Sequence, residues 1–280
     1  MYNDQQLALK SLQYRRDILH WIKHAGAGHT GGSLSCVDIL NVLYNRVLRV
    51  TPRSSLASPE RDRYVQSKGH SAEALFVVLA DRGFFAAEEL ATLCQYQSHF
   101  VGHPTRKIPG VEQNTGALGH GLPMCTGMAI GAKLNAADFR VFTLLGDGEL
   151  AEGSNWEAAM AAAHYQLDNL TAIVDCNSLQ ISGHTCDVMN NEPLAEKFAA
   201  FGWAVRRVDG HNFAELSAAL SQPIEPGKPS AIIAHTIKGK GISFMENVAA
   251  WHHRVPTDQE YELAIAELDA ARAQFAEVSL

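Results

Sequence analysis

The fold is decided by residues 141–149, Val141-Phe142-Thr143-Leu144-Leu145-Gly146-Asp147-Gly148-Glu149. The first five residues form an apolar run typical of a strand buried on both faces of a parallel sheet, and polar residues follow where it ends. A second apolar run, residues 170–174, leads into Asp175-Cys176-Asn177, with Asn177 thirty positions after Asp147. Open α/β sheets bind ligands at the carboxyl ends of their strands, so the two polar clusters are expected to meet there.

The polar clusters offer oxygen atoms to a cation. Asp147 has a carboxylate, Asn177 has an amide oxygen, and the backbone just after Asn177 could add a carbonyl. Such a set favours Mg²⁺, or Ca²⁺ or Mn²⁺, over zinc. Gly146 and Gly148 let the main chain approach an anion closely, and the helix that follows points its N-terminus at it. The pattern predicts a divalent cation that clamps a diphosphate.

Composition excludes several classes of protein. The chain has 280 residues, 46% hydrophobic and 19% charged, as in a globular protein with a substantial core. The net charge of −7 argues against nucleic acid or anionic membranes as partners. The start of the sequence, MYNDQQLALK, lacks the pattern of a signal peptide. Five cysteines without a C-x-x-C motif indicate reduced thiols. We therefore expect a cytoplasmic protein.

Apolar runs and helical patterns alternate along the chain. This alternation predicts a doubly wound, mostly parallel α/β sheet with helices on both faces, in a single domain over residues 1–280. Ser33 or Ser35 is expected to cap the second helix, and Thr257 to Glu260 form a capping box for the last one. Predicted strands are 64–66, 141–145, 170–174, 203–208 and 230–236. Predicted helices are 5–24, one ending near 48, 72–79, 122–134, 154–165, 193–201, 212–220 and one beginning near 258.

Several histidines lie in glycine-rich turns. His29, His70 and His103 have this setting, and His103 belongs to a long loop, 99–121, of the kind that is usually functional. His252 and His253 follow one another near the end of the chain. Imidazoles that converge on one pocket could bind phosphate and sugar hydroxyls and relay protons. The alternative of a zinc site is disfavoured, because the histidine spacings match no zinc motif and no thiol pair is present.

These motifs together resemble the N-terminal, diphosphate-binding half of transketolase, a thiamine diphosphate enzyme. The similarity runs in order along nearly the whole chain. The matching segments are residues 28–32 (GHTGG), 67–70 (SKGH), 102–104 (GHP), 116–121 (GALGHG), 146–153 (GDGELAEG) and 175–177 (DCN). His120 stands where many full-length members carry Gln.

The resemblance implies three sets of site residues. The metal would be held by Asp147, Asn177 and the carbonyl of Leu179. The residues that would bind thiamine diphosphate are His70, Gly116, Leu118, Gly146, Asp147, Gly148, Glu149 and Asn177. Those implied in catalysis are His29, His70, His103, His252 and Glu152. The histidines would bind phosphate and sugar hydroxyls and steer protons, with His253 as an alternative to His252, and Glu152 would lie at a subunit interface.

The resemblance also implies a partner. Ordinary transketolases continue through two further domains, whereas this sequence ends at Leu280 after a capped helix. The second half would supply the glutamate that activates the aminopyrimidine and most groups that bind the sugar phosphate. We therefore expect the N-terminal subunit of a split transketolase, active only with a C-terminal subunit in an α2β2 heterotetramer.

Other functions remain open at this stage. The closest is a subunit of another thiamine diphosphate enzyme, similar to deoxyxylulose phosphate synthase or to 2-oxoacid dehydrogenases. A non-catalytic paralogue that only holds the cofactor is a second alternative. A Rossmann dehydrogenase is disfavoured, because no strand is followed by G-x-G-x-x-G. The histidine set favours transfer of a two-carbon ketol unit from a ketose phosphate to an aldose.

Overall fold

The chain forms a five-stranded sheet in which every pair of neighbours is parallel. The computed structural model describes residues 2–54 and 58–277. Leu280 lies outside the described residues. The strand order is β1-β2-β3-β5-β4. The strands are β1 (Arg63–Gln66), β2 (Val141–Gly146), β3 (Leu170–Cys176), β4 (Ala204–Asp209) and β5 (Ser230–His235).

Helices cover both faces of the sheet, as predicted. They are α1 (Asp4–Ala25), α2 (Thr30–Val42), α3 (Ala72–Asp81), α4 (Gly121–Leu134), α5 (Gly153–His164), α6 (Thr185–Val188), α7 (Leu194–Ala200), α8 (Phe213–Leu220) and α9 (Asp258–Glu277). Side chains of α1, α2, α3, α8 and α9 pack in one core cluster, and those of α4, α5 and α7 pack in another. Along residues 2–54 and 58–277, no helix combines the length and apolar content needed to cross a bilayer.

The period-2 geometry of β2 divides its side chains between the two cores. Phe142 and Leu144 belong to the cluster with α1–α3, whereas Val141 and Leu145 belong to the cluster with α4 and α5. All four are at most 1% exposed. The strand is therefore buried on both sides, and even its polar residue Thr143 is fully buried.

Three details of the second helix differ from the prediction. Residues 30–32, expected in a loop, are the first turn of α2, and His29 occupies the N-cap position without a side-chain cap. Ser33 and Ser35 lie inside the helix, where their hydroxyls donate to Glu73 and Asp175 and do not accept from the first backbone N–H groups as a cap would. The helix also ends earlier, at Val42, and continues as one π-helical turn.

Other predictions of local structure are confirmed. The capping box forms at α9, because Thr257 N donates to Glu260 Oε2 at 2.9 Å and Glu260 N donates to Thr257 Oγ1 at 3.2 Å. All five cysteines are unpaired. The short helical segments at 87–92, 185–188 and 249–251 were not predicted.

A buried ion pair joins the elements that surround the carboxyl edge of the sheet. Lys68 follows β1, and its ammonium contacts the Asp175 carboxylate of β3; these side chains are at most 2% exposed. Asp175 also accepts hydrogen bonds from Ser35 in α2 and Thr236 after β5. Burial opposes ionisation of Asp175, but the Lys68 ammonium and these donors outweigh it and hold the pKa below its ordinary value.

A second buried carboxylate connects the start of α2 to α3. Glu73 is 1% exposed. Its Oε1 accepts from the backbone N of His29 at 3.2 Å, and its Oε2 accepts from Ser33 Oγ at 2.8 Å. Burial raises the pKa of Glu73 from 4.5 to about 7, since no cation pairs with it among the described residues. Glu73 thereby positions the loop that carries His29 against the helix that follows His70.

We expect Lys68→Met to destabilise the chain by about 3–5 kcal/mol, because it leaves the Asp175 carboxylate buried without its cation. Adding Asp175→Asn should restore part of that loss, since the uncompensated charge is removed as well. Urea unfolding of the single and double variants measures both effects. Additive losses in the double variant would contradict a direct pairing between the two side chains.

We expect Glu73→Gln to stabilise the chain at pH 8 but not at pH 4.5. A carboxyl group whose pKa is raised on folding favours the folded state below pH 4.5, and this contribution is lost as the pH rises through about 7. The amide oxygen can still accept from His29 N, and the amide nitrogen can donate to Ser33 Oγ once that hydroxyl accepts instead of donating. No ionisable group is left, so the gain at pH 8 should be on the order of 3 kcal/mol. Urea unfolding at the two pH values measures it.

The matched control for that variant is Glu88→Gln, because Glu88 is an exposed carboxylate in the short helix at 87–92. This substitution removes the same charge from an exposed position, so it does not remove the cost of burying a carboxylate. A similar pH dependence in both variants would show that net charge, rather than the buried position of Glu73, is responsible.

Candidate active site

A cavity of about 470 Å³ opens at the carboxyl edge of the sheet. It is surrounded by the segments that follow β1, β2, β3 and β5. The polar clusters therefore meet at the carboxyl ends of the strands, as the sequence predicted. Its volume lies in the range of small-molecule sites. Eleven of the predicted site residues line it: His29, His70, Gly116, Leu118, Gly146, Asp147, Gly148, Glu149, Asn177, Leu179 and His252.

The three predicted metal ligands lie on two adjacent loops of this cavity. Asp147 Oδ2 accepts from Ser178 N at 2.6 Å, which ties the loop after β2 to the loop after β3. Asn177 Oδ1 accepts from Leu179 N at 3.2 Å, which closes a tight turn. Burial, followed by the charge of Asp175, raises the pKa of Asp147 to about 6. A cation beside this carboxylate would relieve both penalties.

A buried lysine stands beside these oxygen atoms. Lys238 is 2% exposed and donates to the carbonyl of Leu179 at 3.2 Å. Its Nζ also lies 3.0 Å from Nδ1 of His252. Among the described residues it has no carboxylate within ion-pair distance, and burial together with the charge of Lys68 lowers its pKa to about 8. An unpaired buried ammonium that faces a cavity calls for an anion there.

Glu149 lines the cavity, but its carboxylate accepts hydrogen bonds that join the surrounding segments of the chain. It accepts hydrogen bonds from Ser67 Oγ, from Gly119 N at 2.9 Å and from Gly146 N at 3.0 Å. The N–H of Gly148 donates to Asp147 Oδ1 at 2.8 Å. Contact of these two residues with a cofactor remains a prediction, because their polar groups are bonded within the chain.

Four of the predicted histidines form a cluster at the cavity. The ring centroid of His29 lies 5.2 Å from that of His70, 6.0 Å from His103 and 5.5 Å from His252. His70 and His252 stack at 5.3 Å. The ring of His103 packs on Gly116, where a Cβ atom would lie 3.0 Å from its Cδ2, so the glycine allows the close approach.

The environment keeps these imidazoles neutral at pH 7. Burial, then the charges of neighbouring histidines and lysines, lowers the pKa of His29 to about 4. Burial and the nearby Lys238 lower the pKa of His252 to about 3. Burial and Lys68 place the pKa of His70 well below 6.5, and burial alone lowers that of His103. A neutral imidazole has one donor and one acceptor nitrogen, which suits it to bind hydroxyl groups.

Two predicted residues lie outside the cavity lining. His103 is beyond it but within the histidine cluster. Glu152 is exposed at the start of α5, against Gly119, and contacts none of the histidines. His120 is also exposed, at the N-cap of α4, with Nδ1 3.0 Å from the carbonyl of Leu118.

Sequence reasoning assigned no role to several residues of the cavity. Lys68 stood in a quoted motif, and Lys238 follows the end of β5 by three positions. The strand-end argument used for Asp147 would have selected both. No comparable signal indicated the apolar wall, Ile181 and Met189, whose side chains remain 73% and 58% exposed.

The chemistry of the cavity fits thiamine diphosphate with a divalent cation. The oxygen atoms of Asp147, Asn177 and Leu179 suit the cation, and the unpaired ammonium of Lys238 suits the diphosphate. Leu118, Ile181 and Met189 offer apolar surface to heterocyclic rings. No three His, Cys, Asp or Glu side chains converge as metal ligands in the part of the chain that is described. The predicted set instead includes an amide and a backbone carbonyl.

Comparison with known proteins identifies a family that matches most of this chain. Residues 11–273 match the family model described as "Transketolase, thiamine diphosphate binding domain". The chain is 46% identical over 265 residues to one subunit of the apulose-4-phosphate transketolase of Phocaeicola vulgatus, with 94% of each chain covered. It is 42% identical over 257 residues to 6-deoxy-6-sulfo-D-fructose transketolase subunit SqwG of a Clostridium species, covering 91% of this chain and 93% of that protein.

Longer relatives match over part of their length. Human transketolase is 40% identical over 245 residues, which cover 87% of this chain and 39% of the human protein. The crystal structure of transketolase from Campylobacter jejuni superposes with a TM-score of 0.83 at 28% identity, covering 99% of this chain and 48% of that chain. The chain thus spans about half the length of that transketolase. It belongs to the transketolase thiamine diphosphate-binding domain family, as the resemblance of its motifs predicted.

Proposed function

We propose that this chain is the thiamine diphosphate-binding subunit of a two-subunit transketolase, which transfers a two-carbon ketol unit from a ketose phosphate to an aldose. The observation that carries the proposal is the buried ammonium of Lys238, which lacks a carboxylate partner among the described residues and adjoins the oxygen atoms of Asp147, Asn177 and Leu179. Relatives of nearly the same length are named as transketolase subunits, which supports a division of the enzyme between two chains.

Asp147, Asn177 and the Leu179 carbonyl would hold the cation, Mg²⁺ or alternatively Ca²⁺ or Mn²⁺. Lys238 would neutralise charge on the diphosphate, while Leu118 supports the rings. When bound, thiamine diphosphate supplies the nucleophilic carbon and the electron sink for breaking the carbon–carbon bond. The chain's own task is to hold and orient the two ligands and to exclude water from their polar ends.

The histidine cluster would bind the sugar and move its hydroxyl protons. His29, His70, His103 and His252 are neutral at pH 7 by the pKa directions above, so each can accept one proton and donate another. Their rings lie within about 6 Å of one another, a span that suits neighbouring hydroxyl groups of one substrate. His29, His70 and His252 line the same cavity as the proposed cation ligands, which supports their contact with a substrate bound there.

A partner subunit would close the open side of the cavity. Ile181 and Met189 are large apolar side chains that remain mostly exposed on its wall, and Glu152 is an exposed carboxylate near its rim. Burying these groups against a C-terminal subunit would complete the site. We propose an α2β2 assembly with Glu152 at a subunit interface.

The substrates are proposed at the level of chemical class. A ketose phosphate donor and an aldose acceptor follow from the family, and a role in pentose phosphate metabolism in the cytoplasm is the corresponding setting. Two relatives are named for apulose 4-phosphate and for 6-deoxy-6-sulfo-D-fructose, so these sugars belong in any donor panel. Such a panel distinguishes a general transketolase from a specialised one.

Asp147→Ala is expected to weaken binding of thiamine diphosphate by roughly 100-fold or more, because the cation loses its only charged ligand in the proposed set. Calorimetric titration of the complete complex with thiamine diphosphate and Mg²⁺ measures the change. The control is Asp187→Ala, which removes an exposed carboxylate of α6 that does not line the cavity. Unchanged affinity in the Asp147 variant would rule out the metal assignment.

The purified chain alone should show no ketol transfer with saturating thiamine diphosphate and Mg²⁺. Turnover should begin when a C-terminal transketolase half encoded beside it is added, since the site is open on the side of Ile181 and Met189. Assays with xylulose 5-phosphate, apulose 4-phosphate and 6-deoxy-6-sulfo-D-fructose as donors test this. Robust turnover by the chain alone would refute the two-subunit proposal.

A further inference from the structure

His253 is closer to His29 than any other histidine of the cluster. The two ring centroids are 4.5 Å apart, with the ring planes inclined at 68°. The corresponding separation from His29 is 5.2 Å for His70 and 5.5 Å for His252. His253 and His252 were alternatives in the sequence, but both contact the cluster. His253 is therefore a fifth imidazole at the site rather than a substitute for the fourth.

The position of His253 is set by anchors on both sides. On one side, the backbone of Trp251 packs so closely on α2 that a Cβ atom at Gly31 would lie 2.9 Å from the Trp251 carbonyl oxygen. On the other side, Thr30 Oγ1 donates to the carbonyl of Arg254 at 2.6 Å. Both anchors belong to the helical turn that follows His29. The relative placement of His29 and His253 is thus built into the packing.

The polar atoms of His253 are available to a ligand. The side chain is exposed, and neither ring nitrogen has a hydrogen-bond partner within residues 2–54 and 58–277. Its neighbours are already engaged: Nδ1 of His252 faces Lys238, while the Arg254 guanidinium pairs with Glu260 and lies over the Trp251 ring. Of residues 252–254, His253 is therefore the one whose side chain makes no hydrogen bond or ion pair with the described residues, although its backbone is held in place.

The location of His253 indicates which part of a substrate it meets. His29, His70 and His252 line the cavity, whereas His253 does not and is instead open to solvent beside His29. A sugar whose reacting carbons lie among the inner histidines would extend outward past His29. The His253 imidazole lies on that side of the cluster, with its ring centroid 4.5 Å from that of His29.

We propose that His253 is a substrate-binding residue that hydrogen-bonds a hydroxyl group of the donor sugar on the carbons beyond the bond that is broken. It thereby contributes to the choice of donor. The proposal rests on the transketolase function proposed above. A site built to hydrogen-bond a substrate hydroxyl discriminates against sugars that lack one there, because its polar group is then left unpaired.

The test compares His253→Phe with His253→Gln in the reconstituted two-subunit complex loaded with thiamine diphosphate and Mg²⁺. Phenylalanine keeps an aromatic ring against His29 but has no polar atom, whereas glutamine keeps a donor and an acceptor without the ring. With the donor of the panel that is turned over fastest, the Phe variant should raise KM about 10-fold, as loss of one hydrogen bond implies, and change kcat less than about 3-fold. The Gln variant should keep KM within about 3-fold of the unmodified complex.

Two further measurements separate substrate binding from a structural role. Calorimetric affinity for thiamine diphosphate should be unchanged in both variants, because His253 does not line the cavity. Binding of the same donor to the complex without thiamine diphosphate, where it cannot be cleaved, should weaken in the Phe variant only. The control His20→Phe alters an exposed histidine of α1 whose ring packs edge-on against Trp21, and it should leave KM unchanged.

Each remaining outcome counts against the proposal. An equal rise of KM in the Phe and Gln variants would mean that the imidazole acts through its shape, and unchanged KM in both would mean that it does not contact the donor. Weakened binding of thiamine diphosphate would assign His253 a structural role. If the unmodified complex turns over no donor of the panel, the proposed function itself fails, and the substrate contact fails with it.

Discussion

The architecture of the site depends on one buried ion pair, Lys68 with Asp175. It connects the segment after β1 to the end of β3, and the same carboxylate holds α2 through Ser35 and the segment after β5 through Thr236. A pair without solvent is strong only when hydrogen bonds satisfy the remaining lone pairs, and here they do. The ammonium of Lys68 is thus already paired with a carboxylate at the cavity wall.

Lys68 and Lys238 are both buried, but they differ in whether a carboxylate neutralises them. Both ammonium groups are at most 2% exposed and both line the cavity, but only Lys68 has a carboxylate partner among the described residues. Burial and the proximity of Lys68 lower the pKa of Lys238, so the site without ligands carries an electrostatic cost there. Under the proposed function, a bound diphosphate would remove this cost, so we assign Lys68 a structural role and propose Lys238 as the ligand-binding group.

The histidine cluster depends on similar support from outside the cavity. Glu73 holds the backbone of His29 and the hydroxyl of Ser33, while the first turn of α2 anchors the segment that carries His252 and His253. Imidazoles buried side by side stay neutral because each charged neighbour would penalise the next. The cluster therefore resembles a set of hydroxyl-binding groups more than a set of cations.

The sequence by itself determined the parallel sheet and the position of Asp147 and Asn177 at the carboxyl ends of two strands. Apolar runs and the strand-end rule are local patterns, and a parallel sheet converts them directly into a shared edge. It placed Ser33 or Ser35 at a helix cap, however, because propensity cannot show that buried carboxylates will accept hydrogen bonds from these hydroxyls. Only the tertiary structure decided that Lys68 has a carboxylate partner and that Lys238 has none among the described residues. It also decided that Glu73 supports His29 and that His253 lies beside His29. Those relations join residues far apart in the chain, and their energies arise from burial, which no local pattern records.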